Sequence, residues 1–386
     1  MQKVFPDDHH SKRRLWREYL PHALALVHEN EFVIEERNYL GLIKNIADCL
    51  SSDGRYQEAE VFYAKLMRIN QEKAGIKHPS TLTSMGNLAA TYRNQGQWNE
   101  AEKLEVQVLE TSKTVLGAEH PITLRSIGNL AVTYRNQGRW NEAEELEVQV
   151  LETSKTVLGA EHPDTLRSIG NLAATYRNQG RWNEAEKLEV QILEIFKRVL
   201  GTEHPDTLAS MANLAATYRN QGRWNEAKKL EVQVMEISKK VLGAEHPSTL
   251  NSMGNLAVTY RNQGQWNEAE KLEVQVMEKR KTVLGAEHPN TLSSIGNLAA
   301  TYRNQGRWNE SEKLEVQILE IFKRVLGNEH PNTLTSMANL ALTFWGQGRW
   351  NEAEQLNMQV IETSKKVLGA KHPNTLTSMA NLALIF

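Results

Sequence analysis

One period governs this sequence. The pair His-Pro occurs at His78, His120, His162, His204, His246, His288, His330 and His372, always 42 residues apart. Tryptophan keeps the same step at Trp98, Trp140, Trp182, Trp224, Trp266, Trp308 and Trp350. A length of 386 residues would ordinarily suggest two or three globular domains, but a fixed period of this size means an array of one supersecondary unit. Full repeats begin at residues 37, 79, 121, 163, 205, 247, 289 and 331, and a half repeat covers 373–386. Residues 1–36 stand outside the period and are expected to supply a linker and a capping helix.

Within the repeat 79–120, Leu82, Met85, Leu88, Ala89 and Tyr92 recur at three or four residues, the spacing of one buried helical face. Pro79 suits the first turn of that helix, and the region of Gly96 ends it. A second helix follows from Trp98, with Trp98, Ala101, Leu104, Val108 and Leu109 expected in the core and Gly117 at its C-terminal end. One such hairpin cannot cover its own apolar faces, so its stability must come from stacking on neighbours. The expected fold is all-α, a right-handed superhelical solenoid of stacked helical hairpins.

Lys+Arg 45 against Asp+Glu 47 leaves a formal charge of -2, which gives no bulk positive field for nucleic acid or an anionic membrane. No apolar run approaches the roughly 20 residues that cross a bilayer. Cys49 is the single cysteine, so an intramolecular disulfide framework is excluded. These features suit a cytoplasmic protein. One histidine per repeat, at about 10 Å spacing between stacked helices, cannot bring two imidazoles to one metal ion, so the His column reads as part of the linker. No nucleophile-base set and no glycine-rich phosphate cradle stands out. The chain reads as non-enzymatic and free of cofactors.

The segment around Leu88, Ala89, Tyr92, Gly96, Trp98 and Ala101, in the pattern NLAxTYRxxGxWxxAExL, resembles the tetratricopeptide repeat. The 42-residue step and the VLGxEHP linker resemble the long-period class found in kinesin light chains. One column departs from that family: Glu105, Glu147, Glu189, Glu231, Glu273 and Glu315, then Asn357, stand where a bulky apolar residue is usual, and only Tyr63 conforms. Val106 and Val108 are expected to take over the packing there. The start, KVFPDD and LWREYLPHALALV, resembles the link between an NB-ARC module and its repeat arm in fungal NOD-like receptor proteins. That resemblance implies either the arm of a larger receptor or a free-standing derivative, since no GxxxxGK[ST] loop occurs in the sequence.

Two columns are candidates for ligand contact. Asn87, Asn129, Asn171, Asn213, Asn255, Asn297 and Asn339 each precede the Tyr92-type position by five residues, where peptide-binding members of the resembled family place groove asparagines. An amide donates and accepts, so a ladder of them can hold the main chain of an extended peptide. The alternative is hydrogen bonding between adjacent first helices. Arg93, Arg135, Arg177, Arg219, Arg261 and Arg303 form the second column. They would make a positive stripe if they faced the groove, with the glutamates of the second helix making the opposite surface acidic. The alternative is a cation near the end of a helix, offsetting the helix dipole or paired with a neighbouring Glu. The column four residues before Asn varies from repeat to repeat, with Arg125, Arg167 and Asn251 as its most distinctive members, and selectivity is expected there.

The tryptophans are expected between helices and not as a stacking platform. Recent copying also shapes the sequence, because residues 289–330 differ from 163–204 at only four positions, Asn290, Ser293, Ser311 and Asn328. The functional expectation is a scaffold that binds an extended peptide or partner protein. The rival readings are a kinesin-light-chain-like cargo adaptor, a rod that self-associates end to end through Leu382, Leu384 and Phe386, and modular RNA binding, which the net charge opposes.

Overall fold

The computed structural model describes residues 5–27 and 38–383, and all of their regular structure is helical. A helix α1 (Arg13–Val27) precedes the first hairpin, α2 (Leu40–Ser52) with α3 (Tyr56–Ala74). The next hairpins are α4 (Pro79–Asn94) with α5 (Trp98–Leu116) and α6 (Pro121–Asn136) with α7 (Trp140–Val157). Then come α8 (Pro163–Asn178) with α9 (Trp182–Val199), and α10 (Pro205–Asn220) with α11 (Trp224–Leu242). They are followed by α12 (Pro247–Asn262) with α13 (Trp266–Leu284), α14 (Pro289–Asn304) with α15 (Trp308–Val325), and α16 (Pro331–Gly346) with α17 (Trp350–Val367). The last helix is α18 (Pro373–Ala383). The chain divides into two units, Met1–Gly159 and Ala160–Phe386.

The repeated punctuation explains these boundaries. Each histidine before proline is an N-cap: its Nδ1 accepts a hydrogen bond from the backbone N–H two residues on, at 3.0 Å for His330 and 3.2 Å for His78. The intervening proline occupies the first helical position, where its missing N–H would have had no partner anyway. Gly96 and Gly117, at φ of 72° and 93°, close the first and second helices of their repeat in a conformation that side chains resist.

Each helix packs on the next in sequence within its unit. The second unit shows how the faces are shared: Leu193 of α9, Leu208, Met211 and Leu214 of α10, and Val234 of α11 form one buried cluster. A first helix is thus sandwiched between the second helix before it and the second helix after it. In the first unit, Trp16 and Leu20 of α1 join Leu42, Ile46 and Leu50 of α2 in one core, and Arg17 ion-pairs with Asp53 at 2.5 Å. First helices also touch at one remove, α4 with α6 in the first unit, and α10 with α12, α12 with α14 and α14 with α16 in the second.

Three expectations about burial need correction. Trp98 and Leu104 are half-buried, and Trp182, Trp224, Trp266 and Trp350 are exposed, so the tryptophans edge the helix ends and do not build the core. The alanine three residues on does the close packing instead: Ala101, Ala185, Ala227 and Ala353 are fully buried. The Glu105 column is not surface: Glu105, Glu147, Glu189, Glu231, Glu273 and Glu315 are all buried. Val108 is buried beside them and Val106 is half-buried, as expected for the residues that supply the apolar packing. Of the apolar end, Leu382 is half-buried, whereas Leu384 and Phe386 lie outside the described residues.

Candidate functional site

The face on which first helices meet first helices carries the candidate columns. The asparagines are half-buried there, except for Asn213, which is exposed. The variable column one turn earlier is exposed throughout, including Arg125, Arg167 and Asn251. Between α4 and α6 the face opens into a cavity of about 260 Å³, whose walls include Asn87, Asn129, Arg93 and Arg125. Leu82, Val108 and Ile122 add apolar surface, and Gly86 keeps the wall low. A methyl group built on Gly86 meets no atom within 4 Å, so packing does not require the glycine. In mid-helix it costs about 1 kcal/mol relative to alanine.

The arginine column turns inward. Arg93, Arg135, Arg177, Arg219, Arg261 and Arg303 pair with the glutamate twelve residues on, with Nη1 to Oε1 distances of 3.2 Å for Arg135–Glu147, 2.9 Å for Arg177–Glu189 and 3.1 Å for Arg261–Glu273. The same nitrogen reaches the next first helix, where Arg177 donates to the carbonyl of Asn213 at 3.1 Å and Arg261 to that of Asn297 at 2.9 Å. The other glutamate oxygen accepts from a threonine of that helix: Thr133 to Glu105 at 2.5 Å, Thr217 to Glu189 and Thr343 to Glu315 at 2.6 Å. Burial pushes the Glu105, Glu189, Glu231, Glu273 and Glu315 carboxyls above the ordinary glutamate range, with the arginine pulling the other way. Arg93 nevertheless still lines the cavity.

This network accounts for the polar residue where the resembled family is apolar, and the sequence carries a signal for it. Arginine and glutamate are absent together: the first repeat has Ser51 and Tyr63, and the last full repeat has Trp345 and Asn357. A buried carboxylate without its guanidinium is costly, so neither partner is kept alone. In the first repeat Tyr63 donates instead to Asp48 at 2.6 Å.

A second set of contacts binds repeats along the loop edge. Arg139 stacks 3.8 Å from the centre of the Tyr134 ring and bridges Glu102 of the preceding repeat at 2.8 Å and Glu142 at 2.5 Å. Arg223 and Arg307 repeat the arrangement over Tyr218 and Tyr302. In the last full repeat, Trp345 and Trp350 meet edge to face at 6.1 Å, and Gly346 faces the Trp308 ring. Among the described residues, no group of three or more His, Cys, Asp or Glu is arranged to hold a metal ion. No helix among them is long and apolar enough to cross a membrane. Burial lifts the Cys49 thiol to about 12, which leaves it an unreactive core residue.

The tetratricopeptide repeat pattern matches overlapping stretches from residues 39–114 to residues 290–366. The chain belongs to the tetratricopeptide repeat family. Its stacked pairs of helices are those of that repeat. A nucleotide-binding leucine-rich repeat (NLR)-like protein of Hyaloscypha variabilis is 43% identical over 86 residues, which is 22% of this chain and 9% of the relative. The crystal structure of nearly identical tetratricopeptide-like repeats from a kinesin-light-chain-like protein of Podospora anserina is 39% identical, covering 53% of this chain and 98% of that one, with a TM-score of 0.44. A Rap protein crystallised with competence and sporulation factor shares the fold at 10% identity, covering 90% of this chain and 97% of that one, with a TM-score of 0.56.

Proposed function

We propose that this tetratricopeptide array is a non-catalytic scaffold whose first-helix face binds an extended peptide or partner protein. The observation that carries the reading is the cavity between α4 and α6, where Asn87, Asn129 and Arg125 of two successive repeats border apolar Leu82, Val108 and Ile122. An amide on each side can hold the main chain of a strand-like ligand, and the apolar floor can take a side chain. Asn129, Asn213 and Asn297 have their own carbonyls held by the preceding arginine in three repeats, which ties the amide ladder to the buried Arg–Glu network. The arginines then act less as free ligand contacts than as fixed supports. Arg125, exposed and with no ion pair among the described residues, is the charged side chain of that cavity left to contact a ligand beside the two amides.

The likeness to the Rap protein in complex with competence and sporulation factor supports ligand binding by this fold. The match to an NLR-like protein supports a sensing or adaptor arm in a signalling protein. The head-to-tail rod is the less favoured reading, because α1 covers α2 and leaves Trp16 and Leu42 almost wholly buried. The test is partner capture from lysate, identified by mass spectrometry, with the native chain against Asn171→Ala, Asn213→Ala, Asn255→Ala and Asn297→Ala combined. A partner retained by the first and lost by the second, at equal helical content, supports the groove. Capture of the same set by both sinks it.

A further inference from the structure

The turn between the two helices of a repeat carries an arginine just before the tryptophan at Arg139, Arg181, Arg223, Arg307 and Arg349. Each lies 3.8–4.1 Å from the centre of the aromatic ring five residues earlier. Each also pairs with the glutamate three residues on and donates to Oε1 of the glutamine two residues back. Arg139, Arg223, Arg307 and Arg349 reach a glutamate of the preceding repeat as well. An aromatic face, two carboxylates and an amide oxygen thus form a seat for one guanidinium.

Gln97 and Gln265 replace that arginine in their repeats. At Gln265 the sequence compensates: Lys228 stands where the other repeats have glutamate and places its Nζ 4.6 Å from the centre of the Tyr260 ring. At Gln97 it does not, because Tyr92, Glu60 and Glu100 all keep the types that surround an arginine elsewhere. Gln95 Oε1, the counterpart of the glutamine oxygens that accept from arginine, is shut off from solvent and has no hydrogen-bond partner among the described residues. Burial first, then the Glu60 and Glu100 carboxylates, raise the Tyr92 hydroxyl with no arginine to oppose them, whereas Arg139 opposes the same shift at Tyr134.

We propose that the seat over Tyr92 receives an arginine side chain of a partner protein, held by Glu60, Glu100 and Gln95 as Arg139 is held by Glu102, Glu142 and Gln137. The site lies on the turn edge and stands apart from the first-helix groove. Tyr92 is half-buried and Gln97 is exposed, so an entering side chain displaces only a surface amide. Lys103 pairs with Glu100 at 2.7 Å but does not fill the seat, since Lys313 stands likewise three residues after Glu310 while Arg307 keeps its own pair there. A flat guanidinium stacks on the ring and serves three acceptors in one plane, which a single ammonium does less well.

The test uses the full chain with carbon-13 in its tyrosine rings, the Tyr92 signal being identified by its loss in Tyr92→Phe. The probe is a blocked pentapeptide, arginine between two pairs of glycines, titrated at constant ionic strength beside versions with lysine and with citrulline, the neutral isostere. Tyr134, Tyr218 and Tyr302, whose seats are filled, serve as controls within the same molecule. The expected result is a saturable shift of the Tyr92 signal alone, with the arginine peptide binding roughly tenfold more tightly than the citrulline peptide. Gln97→Arg, which installs the residue that five turns already carry, should abolish the shift at unchanged helical content. No saturable shift at Tyr92, a shift shared by the control tyrosines, equal affinity for the lysine or citrulline peptide, or a shift that survives Gln97→Arg would each overturn the assignment. The first-helix groove is untouched by any of these outcomes, and its own test stays separate.

Discussion

The buried trio of Arg177, Glu189 and Thr217 makes a quantitative prediction. Arg177 Nη1 lies 2.9 Å from Glu189 Oε1 and 3.1 Å from the Asn213 carbonyl, and Thr217 Oγ1 lies 2.6 Å from Glu189 Oε2. The Glu189 side chain is 4% exposed and that of Arg177 is 19% exposed. Changing Arg177→Leu strands a buried carboxylate with one neutral donor, which costs about 3 to 5 kcal/mol. Changing Glu189→Leu strands the more exposed partner, which keeps the Asn213 carbonyl and can reach water, so the loss is smaller, about 1 to 2 kcal/mol. Replacing both leaves an apolar contact between α9 and α10 and costs less than Arg177→Leu alone, a coupling of about 2 kcal/mol or more. Because long arrays need not unfold in one step, the assay is native-state hydrogen exchange of the α9 and α10 amides across the four chains. Additive losses, or an Arg177→Leu cost below about 1 kcal/mol, would refute the view that the column is one coupled network.

Two further outcomes follow from the same structure. Glu189 holds its proton more tightly folded than unfolded, so the folded state binds more protons just above the ordinary glutamate value of 4.5. Its contribution is therefore fully present below that value and lost as pH rises through the folded one, and the stability difference between the native chain and Glu189→Leu should grow on acidification through this window. A difference curve flat or falling toward acid contradicts the assignment. His204 caps α10 by accepting from the Asp206 N–H at 3.2 Å, so His204→Ala should lower stability by about 1 kcal/mol and His204→Asn should restore most of it. Urea unfolding monitored by circular dichroism checks this, and equal loss in both variants would show that the capping hydrogen bond does not carry the effect.

Much of the architecture is legible in residue order. The 42-residue step, proline at the first helical position, glycine beyond each helix and the three-and-four spacing of Leu82, Met85, Leu88 and Ala89 specify helical hairpins and their inner faces. These are local rules, set by backbone sterics and by the 3.6-residue turn, and they act within a few residues. Residue type places a large apolar side chain such as Trp98 in the core, whereas Ala101 and its equivalents fill the narrow crossing and leave the indole at the edge.

The remaining features come from packing across helices. Glu105 meets Arg93 twelve residues before it and Thr133 twenty-eight residues after it, separations that no helical period links. The joint loss of arginine and glutamate in the first and last full repeats was the one trace of that network in the sequence. The buried Arg280 of α13 had no such trace, for the Asn251 and Ser294 side chains that it bonds become neighbours only when α12 and α14 stand side by side. Sequence alone determined that this chain builds closely similar hairpins, because each hairpin follows from its own residues. Which charges are buried, which are compensated and where the groove opens were decided only by stacking, because burial is a property of the interface between repeats and not of the repeat.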